Sequence, residues 1–175
     1  GDWKDWTLLP VNARRRFRLL LDRQAEMSGL AEASPANVLS LNDKDRGLGV
    51  IASGIAANYL RETLAKGEIA PSFLKISTYP LPDALVRRLV GHVETVLVLE
   101  DGYPLIETEL RGFFGIPGKR VLGRASGALP ASGELDPDLV RAALGLAPLP
   151  AQAPSGLSLA GRPPQLCVGC SHADT

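Results

Sequence analysis

An α/β, Rossmann-like fold, in which a mostly parallel sheet is covered by helices on both faces, is what this sequence predicts. Three observations point to it. Short apolar runs recur between residues 47 and 145. Stretches with apolar residues three and four apart separate them, as amphipathic helices require. The clearest run, Thr95-Val96-Leu97-Val98-Leu99-Glu100, is apolar on both sides, as a strand between two helical layers must be.

The first element is helical. Pro10 suits a first turn, where its missing N–H is not needed, and Ala13, Phe17, Leu20, Leu21 and Met27 fall near one face over residues 10–33. The other face carries Arg14, Arg15, Arg16, Arg18 and Arg23. Asp22, Glu26 and Glu32 share the segment, so a solvated or domain-contacting face is expected rather than a phosphate-binding arm. A polar loop over 42–46 then leads to the domain proper near Gly47.

Residues 49–53 suit a buried strand, and 54–66 a helix with Ile55, Tyr59, Leu60 and Leu64 on one side, stopped by Gly67. Residues 73–77 form the second strand, Pro80 and Pro82 a rigid turn, and 83–90 the second helix, with Leu85, Val86, Leu89 and Val90 inward. After the third strand, 95–100, Pro104 opens a helix in which Ile106, Leu110 and Phe113 or Phe114 are spaced for burial. A weaker strand at 120–123 and a short helix at 137–144, N-capped by Asp136 before Pro137, complete the set. From Gly145 to Pro164 the chain becomes rich in Pro, Ala, Gly and Ser, with almost no charge, as in an interdomain linker. Three segments are therefore expected: a lead-in over 1–46, the α/β domain over 47–145, and a linker and further segment over 146–175.

The 175 residues balance 19 basic against 19 acidic side chains. A net charge of zero supplies no field toward a polyphosphate or an anionic bilayer, so neither nucleic acid nor membrane is an expected partner. A chain of this length with 45% hydrophobic residues can bury a core without a disulfide framework or structural metal. No apolar run reaches the roughly 18–20 residues of a spanning helix, and the N-terminus has no secretory pattern. Cys167 and Cys170, three apart, would close almost no loop as a disulfide, which favours a reducing, cytoplasmic setting. The start at Gly1 without methionine, and the stop just after a motif opens, are expected of a piece excised from a longer enzyme.

Ligands in such sheets bind at the carboxyl ends of the strands, which places Ser53-Gly54, Thr78-Tyr79 and Glu100-Asp101 at the informative edge. Gly49 and Gly54 have Walker A spacing, but Ile55 and Ala56 stand where Lys and Ser or Thr must reach phosphates and Mg²⁺. Gly47 and Gly49 precede the strand that a dinucleotide fingerprint would have to follow, so these glycines are read as packing residues. Glu100, Asp101, Glu107 and Glu109 are read as caps near a helix N-terminus rather than paired catalytic acids, and His92 as structural. No catalytic residue is assigned. Cys167-Val168-Gly169-Cys170 with His172 is the most chemically suggestive stretch, because two thiolates three apart can grip one metal or cluster. It is half a site, without a second cysteine pair, so free thiols and no bound metal are expected in the isolated chain.

Several segments taken in order resemble the alpha subunit of indolepyruvate:ferredoxin oxidoreductase, a thiamine diphosphate-dependent 2-oxoacid:ferredoxin oxidoreductase. They are Leu9-Pro10 with Arg14-Arg15-Arg16, Gly49 to Ala56, Thr78-Tyr79-Pro80-Leu81-Pro82, and Glu100-Asp101 with Pro104, Ile106 and Glu107. Gly133-Glu134-Leu135-Asp136-Pro137 and Arg162-Pro163-Pro164 with Cys167, Gly169, Cys170 and His172 complete them. The resemblance implies a middle domain like the transketolase C-terminal domain, a three-layer α/β/α sandwich with a small mixed sheet and one antiparallel strand. It would be non-catalytic, organising neighbouring cofactor domains and subunit contacts. It implies that Cys167, Gly169, Cys170 and His172 lie near the cofactor domain. Thiamine diphosphate, Mg and iron-sulfur clusters would belong to the parent enzyme, none to this piece. The parent would convert an aryl 2-oxoacid to an acyl-CoA and pass electrons to ferredoxin. Implied partners are the other domains, a second subunit, and ferredoxin and CoA for the parent, with a homodimer as one assembly. Val168, Ser171 and Ala173 depart from the Pro, Pro and basic residue the resemblance would place there. The competing reading is a free-standing module holding CoA or a nucleotide around Ser53, Tyr79 and Glu100.

Overall fold

Apolar runs become strands and the stretches between them helices in a computed structural model, which describes residues 3–7, 9–112 and 115–150. After a 3-10 turn at Trp3–Trp6, the order is α1 (Pro10–Ala33), β1 (Val38–Ser40), β2 (Leu48–Ser53), α2 (Ala56–Leu64) and β3 (Ser72–Ile76). Then come α3 (Asp83–His92), β4 (Thr95–Leu99), α4 (Leu105–Arg111), β5 (Arg120–Leu122) and α5 (Pro137–Ala143). The five strands line up β1-β3-β2-β4-β5. β2 to β5 are parallel neighbours, and β1 runs antiparallel to β3. The expected α/β sandwich, mostly parallel with one antiparallel strand, is therefore present.

The period of two along each strand sorts side chains to opposite faces and makes three layers. Val50, Ala52, Leu97 and Leu99 face Ala56, Ala57 and Leu60 of α2 and Val140 of α5, with Leu129 and Leu135 between. Ile51, Leu74, Ile76, Val96 and Val98 face Val86, Leu89 and Val90 of α3 and Ile106 of α4. Register follows: Ile51 at the centre pairs with Leu74 on one side and Val98 on the other. Gly49 is a packing residue, as read, because a Cβ there would lie 2.8 Å from a Val93 methyl and hold α3 off the sheet. At α5, Pro137 occupies the first turn and the Asp136 carboxylate accepts the Leu139 N–H at 2.7 Å, the expected N-cap.

Two features differ from the sequence expectation. No strand was expected before Gly47, yet Val38–Ser40 adds an edge strand within the 1–46 segment, pairing Val38 with Lys75 and Ser40 with Phe73. The helix over 10–33 forms as expected, but Ala31 alone is buried along it; Phe17, Leu20, Leu21 and Leu30 all remain exposed. Its last turn is the anchored end. Asn37 donates to the Ala31 carbonyl at 2.8 Å and to the Thr78 hydroxyl at 2.7 Å, and accepts the Ser77 N–H. Glu32 accepts the Ala84 N–H at 2.6 Å in the first turn of α3.

Candidate functional site

The strand order reverses beside β2: the chain passes from β2 to β3 on one side, then to β4 on the other. A ligand crevice in such a sheet belongs at the carboxyl ends of β2 and β4, where Ser53 and Glu100 stand. Open helix N-termini there would offer N–H groups to an anion. At β4 that role is already filled from within. Glu100, 5% exposed, accepts the Ile106 N–H at 2.8 Å and the Glu107 N–H at 3.1 Å, one on each carboxylate oxygen. Burial pushes its carboxyl above the ordinary glutamate range, with the Glu107 charge adding to this and the two N–H donors opposing it. Glu100 is thus the cap the sequence suggested.

Glu107, fully buried, works on a different segment from its own helix end. Its carboxylate accepts the N–H groups of Ala125 and Ser126 at 2.6 and 2.8 Å and meets Arg111 at 3.3 Å. It thereby fixes the turn that follows β5. Gly123 makes room for it, since a Cβ there would stand 2.5 Å from a Glu107 oxygen and 3.1 Å from the Val98 carbonyl. Arg124 finishes the closure. Its guanidinium, nearly buried, donates to the carbonyls of Glu100, Pro130 and Gly133 at 2.7–3.1 Å and reaches Asp101 at 3.5 Å. Sequence reasoning missed Arg124 and the clamp role of Glu107. The contacts of Glu107 with Ala125 and of Arg124 with Glu100 span 18 and 24 positions, and no local spacing announces them.

At β2 and β3 the edge is open. Ser53, Gly54, Asn58, Lys75, Ser77 and Tyr79 line a shallow depression. Partial burial raises the Tyr79 hydroxyl, the Glu100 charge adds to this, and a hydrogen bond with the Ser53 side chain opposes it. The structure therefore gathers Ser53, Tyr79 and Glu100, the trio of the module reading. With both Glu100 oxygens committed to backbone donors, this arrangement does not favour that reading. His92 is structural, its Nε2 lying 3.0 Å from the Asn42 carbonyl.

Thiamine diphosphate with Mg²⁺, or an iron-sulfur cluster, would need a set of carboxylate, amide or thiolate donors turned toward one point. Among the described residues no three His, Cys, Asp or Glu side chains group where they could hold a metal ion. Every buried side-chain N or O among them already has a partner. Cys167, Gly169, Cys170 and His172 lie outside the described residues, as do Phe113 and Phe114.

Strand order, layers and a partly self-filled strand-end edge define an α/β domain of Rossmann-like class. No protein-family model matches the chain. It is 34% identical over 170 residues to the indolepyruvate oxidoreductase subunit IorA of Methanothermobacter thermautotrophicus, covering 94% of this chain and 28% of that protein. The IorA proteins of Methanothermobacter marburgensis and Archaeoglobus fulgidus are 34% and 29% identical, again over 28% of their length. The chain is thus similar over almost its whole length to the indolepyruvate oxidoreductase IorA proteins, of which it spans a little over a quarter. A solved 2-oxoglutarate:ferredoxin oxidoreductase from Magnetococcus marinus aligns with 67% of this chain and 21% of its own, at 13% identity and a TM-score of 0.47.

Proposed function

We propose that this chain is the non-catalytic middle domain of a 2-oxoacid:ferredoxin oxidoreductase of indolepyruvate type, orienting the domains that hold the cofactors and contributing to subunit contacts. Thiamine diphosphate, Mg²⁺ and iron-sulfur clusters are held elsewhere in the parent, which oxidatively decarboxylates an aryl 2-oxoacid to an acyl-CoA, with electrons passing to ferredoxin in the cytoplasm. Cys167, Gly169, Cys170 and His172 mark the threshold of the neighbouring cofactor domain.

One observation carries this reading: α1, 24 residues long, buries a single side chain on its own domain. Burying a leucine or phenylalanine contributes about 1.5–3 kcal/mol. Phe17, Leu20 and Leu21 thus offer a contact of several such increments to whatever packs on them. Ala31 lies on the same face as this stripe, so a partner on the stripe continues the packing that Ala31 begins. In the longer subunit, Phe17→Glu with Leu20→Glu is expected to disrupt assembly and lower oxidoreductase turnover by an order of magnitude or more (~10-fold, ~1.4 kcal/mol). Turnover and assembly unchanged in that variant would overturn the reading.

A further inference from the structure

α1 offers its neighbour charge as well as apolar surface. Over residues 10–21 it carries Arg14, Arg15, Arg16 and Arg18 and no acidic side chain. Residues three and four apart are neighbours on a helix surface. Arg14 and Arg18 therefore run along one border of the Phe17, Leu20 and Leu21 stripe, and Arg16 and Arg23 along the other. All four are exposed. Arg16 stacks over the exposed Trp6 ring, 4.8 Å from its centre, which steadies that border. The acidic residues of α1 stand elsewhere. Asp22 and Glu26 fall on the back of the helix, and Glu32 accepts the Ala84 N–H at the anchored end.

Three kinds of occupant would meet this face differently. A second copy packed through the same stripe would set arginine border against arginine border, whether the helices run parallel or antiparallel, and like charges so placed repel. A bilayer would have to bury Gln24, which lies within the stripe four residues after Leu20 and three after Leu21. Hydrocarbon gives its amide no partner. A protein groove can hydrogen-bond that amide and answer both arginine borders.

We propose, on the reading that α1 contacts the rest of the parent enzyme, that it docks in an apolar groove there whose two sides carry Asp or Glu carboxylates. A guanidinium grips a carboxylate by two parallel hydrogen bonds, so the charged sides fix the register of the helix while Phe17, Leu20 and Leu21 fill the floor. Opposite charge across the contact also excludes wrong partners.

The test uses the assembled parent enzyme. Arg14→Lys with Arg18→Lys keeps both charges and introduces amines that a carbodiimide joins to any carboxylate touching them. Mass spectrometry is expected to find positions 14 and 18 joined to Asp or Glu outside residues 1–175. No joins, or joins confined to residues 1–175, as to Asp22 or to a second copy, would overturn the proposal. Chymotryptic cleavage after Phe17 reads how often the helix leaves its groove. Arg14→Gln with Arg23→Gln, one on each border, is expected to speed that cleavage about 3- to 10-fold, and less as salt is raised. Cleavage unchanged in that variant, while Phe17→Glu with Leu20→Glu disrupts assembly, would overturn the acidic groove alone and leave the reading beneath it standing. With vesicles of equal parts phosphatidylserine and phosphatidylcholine no cosedimentation of the enzyme is expected; binding that Arg14→Gln with Arg23→Gln removes would show a lipid surface in place of the groove.

Discussion

Glycine at position 123 is required by a carboxylate. Glu107 comes so close that any Cβ would collide with it and with the Val98 carbonyl. Gly123→Ala must therefore displace a group that holds two backbone N–H donors. A loss of about 1–3 kcal/mol in urea unfolding is expected; a variant as stable as the parent would contradict the clamp. Asn37 is a comparable single point, serving α1, Thr78 and the end of β3 together. Asn37→Ala is expected to cost about 1–3 kcal/mol in the same assay, because buried donors and acceptors lose their partner. Glu100 supplies a pH signature. A carboxyl raised in the folded state contributes stability that is fully present below its unfolded-state value and lost as pH rises through the folded value. Glu100→Gln removes that titration. The stability of the parent relative to the variant is therefore expected to fall as pH rises above about 4; parallel pH profiles would show that Glu100 is not raised.

Among the elements, α1 is the one whose sequence and environment disagree within this chain. Its apolar stripe stands out less from its polar face than those of α2 and α3 do, and only Ala31 reaches a core. Phe17→Ser with Leu20→Ser and Leu21→Ser is expected to change the thermal stability of the chain little, because exposed positions usually contribute within about 0.5 kcal/mol. A large drop in Tm would mean that the stripe packs on this domain after all. The other helices and β2 to β5 were legible because period-3.6 and both-face apolar patterns, closed by Gly67, Pro82 and Asp136, are local signals. β1 was not legible. Val38-Leu39-Ser40 has three residues and two exposed positions, and its pairing with β3 is a long-range contact with no mark in its own composition. Glu100 was legible as a capping group, but the reach of Glu107 to Ala125 and of Arg124 to Glu100 was not. Those contacts exist only once the turn after β5 has folded back over the strand ends.

As a whole, the molecule closes part of the edge where sheets of this class hold their ligands and leaves apolar surface where it can meet neighbours. Glu100, Arg124 and Glu107 direct their hydrogen bonds inward, while α1 presents Phe17, Leu20 and Leu21 outward. That distribution suits the proposed spacer between cofactor-holding domains. Isothermal titration of the 175-residue chain with thiamine diphosphate and Mg²⁺, then with CoA, tests this most directly. No saturable heat is expected from either titration, whereas micromolar binding of either cofactor would contradict the spacer role.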